Sequence, residues 1–339
     1  MCSKLCLTRR KSTNSVNERT SAVTILHSGS STKRGVPPTP KESSTRTKPL
    51  KQAGRQPIPE YQTSYQSRGA PGGPAMSSSS MLPAAATAAS KRLILVHGTG
   101  HGGWCWYKVA TLLRAAGHRV DAPDMAASGA DARPLRDAPT FEDYSRPLLD
   151  ALRALPPGEK AVLVGHSFGG MSVALAAEEF PDKVAAAVFL TAFMPDCAHP
   201  RTHTIEALPA GLDWMDSVTD EGHAPPSVFL GPQFLRRMLY QLCPEEDYTL
   251  SQSLARVSSY YVADQRRRPP FSADRYGAVS KVYVVAKQDL AMVEQYQRQM
   301  IASVPVAEVR EMAGADHMAM LSAPEVLAGH LADIANTYA

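Results

Sequence analysis

The fold is read from Ala161-Val162-Leu163-Val164-Gly165-His166-Ser167-Phe168-Gly169-Gly170-Met171. Its first four residues form a short apolar run of the kind found in strands buried on both faces. The run breaks at Gly165, and residues 168–180 then carry the spacing of an amphipathic helix, closed by Pro181. Between strand and helix stands one serine in Gly165-His166-Ser167-Phe168-Gly169. In that setting G-x-S-x-G reads as a nucleophile elbow, a strained turn whose glycines let neighbouring backbone approach without side-chain clashes. The helix starting beside the serine would turn free N–H groups and a positive dipole end toward any negative charge developing there.

On either side the alternation of strand and helix continues. Leu93-Ile94-Leu95-Val96 predicts a strand ending in the turn His97-Gly98, and Trp104, Val109, Leu112 and Leu113 predict a helix over 104–116, stopped by Gly117. Further strands are expected at 119–123, 184–191, 282–286 and 306–309, and a helix at 141–155. Strands separated by helices imply a parallel sheet covered on both faces. Residues 195–275 break the pattern with Trp214, Met215, Phe229, Phe234, Met238, Tyr240, Tyr260 and Tyr261 among Pro-rich and polar stretches, which predicts a helical cap insertion. The fold class expected is therefore α/β, the α/β-hydrolase fold: a mostly parallel central sheet, helices on both faces and a helical cap.

The chain has 339 residues and a net charge of +4, unevenly spread. Residues 1–90 hold 13 Lys plus Arg against 3 Asp plus Glu, a balance of +10; subtraction from the totals of 36 and 32 leaves 23 against 29, or −6, in residues 91–339. The basic character belongs to a Ser-, Pro- and Arg-rich tail without apolar periodicity, expected to be disordered. A mildly acidic domain argues against nucleic-acid binding. The tail reads either as a leader, with starts available at Met76 or Met81, or as a chloroplast transit peptide, since it is rich in Arg and Ser and poor in acids. The expected location is cytoplasmic, or chloroplast on the second reading. Cys2 and Cys6 offer acylation sites, but the residue after Met1 is not the glycine that myristoylation requires. No apolar run is long enough to span a bilayer. The five cysteines, Cys2, Cys6, Cys105, Cys197 and Cys243, are scattered without metal-ligand spacing and read as reduced thiols.

In this fold the catalytic residues follow the chain order Ser, acid, His. His317, in the loop after strand 306–309, is the expected general base; His330 falls within the last helix, and His199, His203 and His223 fall within the cap. Asp289, after strand 282–286, is the expected acid that orients the imidazole. Asp316 adjoins His317 along the chain and is expected to point elsewhere. The two oxyanion donors expected are the N–H of Phe168, directly after the serine, and that of Thr99, in the glycine-rich turn after the first strand. No metal or cofactor is called for.

Residues 91–339 resemble the plant methylesterase family, the group of the salicylic-acid-binding methylesterases and the hydroxynitrile lyases. The resemblance is carried by Leu95-Val96-His97-Gly98-x-x-His101-Gly102-Gly103-Trp104-x-Trp106-Tyr107-Lys108, by the elbow itself, and by Gly314-Ala315-Asp316-His317-Met318-Ala319-Met320-Leu321. Ala192-Phe193-Met194-Pro195-Asp196 and Leu239-Tyr240-Gln241-Leu242-Cys243 look like segments of the same family. It implies a serine carboxylesterase acting on methyl esters of the methyl salicylate, methyl jasmonate and methyl indole-3-acetate class, with the apolar ester or its free acid as ligand. By matching position, His101, Trp214, Phe168 and Met318 should line the acyl pocket. The family's lyases carry lysine after the catalytic histidine and threonine after the first-strand histidine; Met318 and Gly98 stand there, which favours the esterase branch. Two alternatives remain, a hormone-binding, receptor-like hydrolase with little turnover and a hydroxynitrile lyase, and a homodimer stays open as the assembly.

Overall fold

In a computed structural model, residues 90–209 and 211–339 are described; Cys2, Cys6, Met76, Met81 and the expectations drawn for the tail lie outside them. β1 (Arg92–Val96) leads through a 3-10 turn at Gly103–Trp106 into α1 (Tyr107–Ala115), β2 (Arg119–Asp121), α2 (Phe141–Arg153), β3 (Ala161–His166), α3 (Gly169–Glu179) and β4 (Val184–Leu190). The cap follows with α4 (His203–Glu206), β5 (Val218–Asp220), β6 (Ser227–Phe229), α5 (Pro232–Phe234), α6 (Glu245–Leu254) and α7 (Val262–Gln265). The chain returns through β7 (Lys281–Ala286), α8 (Glu294–Ser303), β8 (Glu308–Met312), α9 (Ala319–Ser322) and α10 (Pro324–Tyr338).

Six strands form one parallel sheet in the order β2-β1-β3-β4-β7-β8. Because side chains alternate along a strand, each apolar run supplies both faces at once. Leu93, Leu95, Val162, Val164, Val188 and Leu190 pack with Val109 and Leu113 of α1 and Leu327 and Leu331 of α10. Ile94, Val96, Leu163, Phe189 and Tyr283 pack on the other side with Leu148 and Leu152 of α2, Met171 and Val173 of α3 and Tyr296 of α8. Each fully buried large apolar side chain contributes about 2 kcal/mol before entropy is counted, so this two-sided core is what holds the strands in one plane.

Three elements differ from the sequence reading. α3 is not amphipathic: Gly169 through Ala177 are all buried, because the helix is pressed between the sheet and α2. β8 begins two residues later than expected and carries Glu308, Arg310 and Glu311, as suits an edge strand with one wet side. The cap is not purely helical, since β5 and β6 pair as an antiparallel hairpin. No helix among the described residues is long and apolar enough to cross a membrane.

The strand order places the site. β1 lies between β2 and β3, so the chain leaves it in opposite directions, and a crevice opens at the carboxyl ends of β1 and β3. Register sets Val96 beside Gly165, which brings the turn after β1 against the turn after β3.

Candidate active site

Ser167 sits between β3 and α3 at φ 53°, in the left-handed region that a non-glycine residue occupies only when its surroundings impose it. Those surroundings are backbone hydrogen bonds: Ser167 N–H to the Leu190 carbonyl at 3.4 Å, and Gly170 and Phe193 N–H to the Ser167 carbonyl, each at 3.1 Å. Close approach explains the glycine that follows. A Cβ on Gly169 would lie 2.6 Å from the carbonyl oxygens of Val96 and His97, too near for any side chain. Among the described residues, neither the Thr99 nor the Phe168 N–H donates to a protein acceptor, which leaves both available to a ligand oxygen.

His317, in the loop after β8, donates its Nδ1–H to Asp289 Oδ2 at 2.6 Å, with both side chains almost fully buried. That bond fixes the tautomer and leaves Nε2 to face the cavity. Asp289 follows β7, and its carboxylate is fully occupied. Oδ1 accepts from Ala291 and Met292 N–H, both at 2.8 Å, while Oδ2 also accepts from the Thr191 hydroxyl. Ser167 and His317 line one cavity, although no hydrogen bond joins them in this structure.

The cavity holds about 460 Å³ of empty space including its open mouth. Its polar lining groups are Thr99, His101, His166, Ser167 and His317. The remaining walls are apolar, from Leu208, Leu212, Trp214, Leu230, Phe234, Leu239 and Tyr260 of the cap and Phe193, Ala291 and Met292 of the sheet end. Burial pushes His101 down to about 4 and His166 well below its ordinary value, so both rings are neutral near pH 7. His101 Nδ1–H donates to the Thr99 carbonyl at 2.8 Å, and its Nε2 accepts from the Tyr240 hydroxyl at 2.7 Å. The ring is thus a fixed wall rather than a free donor. No group of three or more His, Cys, Asp or Glu side chains suited to a metal occurs among the described residues.

Comparison with known proteins identifies the family. Residues 93–330 match the model of the alpha/beta hydrolase family. Salicylic acid-binding protein 2 of Nicotiana tabacum is 44% identical over 256 residues, 73% of this chain and 98% of that protein. Methylesterase 3 of Arabidopsis thaliana is also 44% identical, over 74% of this chain and 97% of its own. The chain belongs to the plant methylesterase family. The crystal structure of polyneuridine aldehyde esterase, 40% identical, matches with a TM-score of 0.71 over 72% of this chain and 99% of that one. As a member of this family the chain is a carboxylic ester hydrolase.

Within this methylesterase framework, the structure brings Ser167, Thr99, His101, Trp214 and His317 to one cavity, with Asp289 bound behind His317. Two expected lining residues are not there. Met318 is fully buried, packs in the core with α9 and α10, and does not touch the cavity, because its backbone begins α9 and turns the side chain inward. The Phe168 side chain is likewise enclosed, between Phe141, Tyr144 and Tyr260, leaving only its backbone at the site. Sequence reading missed Thr191, which carries no motif and is identified only by where β4 ends. It also missed Gln297, whose amide bonds Ala286 on both backbone groups and the Met292 carbonyl, stapling the loop that holds Asp289.

Proposed function

We propose that this chain hydrolyses methyl esters of small apolar acids of the plant-hormone type, the methyl salicylate, methyl jasmonate and methyl indole-3-acetate class, through an acyl-enzyme on Ser167. The observation that carries the reading is one cavity lined by Ser167, by His317 with Asp289 bound behind it, by Thr99 and by mostly apolar walls. Its lining suits a compact apolar acyl group whose carbonyl is the one polar feature. Ser167 Oγ attacks the carbonyl carbon as His317 Nε2 takes its proton, and the Thr99 and Phe168 N–H groups hold the oxyanion. The tetrahedral adduct then expels methanol, which receives the proton from His317. Water, deprotonated by His317, attacks the acyl-enzyme and releases the free acid. Asp289 keeps its charge throughout and steadies the imidazolium. The names of the relatives, a salicylic acid-binding protein and a methylesterase, support the substrate class. The setting is the cytoplasm, or the chloroplast if the basic stretch directs import.

The test is a panel of hormone methyl esters offered to the full chain and to Ser167→Ala. Sustained release of free acid by the parent, and a loss of several orders of magnitude in the variant, are expected. A variant that keeps its rate removes Ser167 from the chemistry. One equivalent of product per enzyme without turnover would instead mark a binding protein, and cyanide release from mandelonitrile a lyase.

A further inference from the structure

The three loops that carry the candidate machinery leave three different strands, β1, β7 and β8. Gln288 N–H donates to the Ala315 carbonyl at 3.0 Å and so joins the acid and base loops, while the oxyanion loop after β1 has no such backbone bond to either among the described residues. One short cap segment, residues 240–243, touches all three. It leaves a wide turn at Leu235–Leu239 closed by Tyr240 N–H on the Leu235 carbonyl at 2.9 Å, a helical irregularity that collects at functional sites. The Tyr240 hydroxyl, fully buried, donates to His101 Nε2 at 2.7 Å, and His101 in turn holds the Thr99 carbonyl. Gln241 Nε2 donates to the carbonyl of Gln288, the neighbour of Asp289, at 2.6 Å. Leu242 N–H donates to Asp316 Oδ2 at 2.8 Å, and the Cys243 thiol reaches the same oxygen at 3.4 Å. Asp316 Oδ1 accepts from Met318 N–H at 3.0 Å, so the carboxylate clasps the backbone on both sides of His317.

We propose that residues 240–243 form a strap that sets the oxyanion, acid and base loops in one register, with Tyr240 and Asp316 as positioning residues. Asp316 points away from the imidazole, and its work is to key the base loop to the cap. Burial raises the Asp316 carboxyl above its ordinary value, and the Ser322 hydroxyl, the Leu242 and Met318 N–H groups and the Cys243 thiol that face it partly offset that burial. The consequence is that cap position and catalytic geometry are one variable. Displacing any of the three loops by about 1 Å is enough to cost up to a hundredfold in rate. This inference rests on the triad reading above.

The test uses the full chain, with para-nitrophenyl acetate as probe, and compares Tyr240→Phe, Asp316→Asn and their double variant with Ser167→Ala. Each single variant is expected to lower kcat by about tenfold with KM changed by less than about twofold. The double variant should lose less than the product of the two, because either change alone already frees the strap. A purely structural role would lower the melting temperature and leave kcat per folded molecule intact. If kcat stays within about twofold of the parent while Ser167→Ala is inactive, or if the losses multiply, the strap is wrong and the triad stands. An active Ser167→Ala sinks both. Should Asp316→Asn not fold, Tyr240→Phe with Gln241→Ala decides by the same measure.

Discussion

Thr191 is held at φ 35°, in a region where a β-branched side chain costs on the order of 1–3 kcal/mol. What it gains is contact between its hydroxyl and Asp289 Oδ2, the oxygen that also accepts the His317 Nδ1–H. Thr191→Val keeps the shape, loses the donor and leaves a buried carboxylate short of one bond; a fall in kcat of about tenfold is expected. Thr191→Ser keeps the donor and should run at nearly the parental rate. Equal rates in parent and Val variant would show that the hydroxyl only fills space. Two other residues separate family pattern from physical cause. A Cβ on Gly98 would lie 2.8 Å from the Ser167 Cβ, so Gly98→Thr acts by displacing the nucleophile. Met318→Lys acts elsewhere, placing an ammonium in a fully buried position among apolar side chains. Such burial costs several kcal/mol, so thermal melting should show a large loss of stability. An unchanged melting temperature would mean that the lysine finds water.

At the scale of elements, the turn after β1 and the end of β3 concentrate three buried histidines, His97, His101 and His166. Burial pushes all three below the ordinary 6.5, His101 to about 4. The folded chain therefore keeps them neutral while the unfolded chain charges them as pH falls through 6.5. Below that point the unfolded state binds more protons, and stability drops by up to about 1.4 kcal/mol per pH unit for each histidine. Melting temperatures measured from pH 7 down to 4.5 should fall steadily; a flat profile would show that these rings are protonated in the fold. The same elements show what sequence could reveal. β1, β3, β4 and β7 are legible to within two residues because each is buried on both faces and reads as an uninterrupted apolar run. β8 was displaced because an edge strand mixes charge into its pattern, and the β5–β6 hairpin was missed because β5 is wholly exposed. Ser167, Asp289 and His317 were legible from motif and chain order. Thr191 and the partners of Asp316 were not, since their roles exist only once distant loops meet.

At the scale of the whole molecule, the charge balance and the family match divide the chain at nearly the same place. Residues 1–90 carry a balance of +10 and the remainder −6. The family match begins at residue 93, and 73% of this chain is enough to span a relative almost end to end. Among the described residues, the two apolar clusters that close the sheet are assembled from residue 93 onward. A chain starting at Met81 should be soluble, melt within about 2 °C of the full chain and hydrolyse the same esters at the same kcat/KM, because the sequence before it has no core-forming apolar pattern. The comparison is made on both proteins purified alike, with melting and ester hydrolysis measured side by side. Added salt makes it more searching. If the basic stretch lies against the acidic domain, the full chain loses stability or changes rate as salt screens the attraction, while the shorter chain does not. A salt response found in the full chain alone, or aggregation of the shorter one, would mean that the first 80 residues are part of the folded enzyme.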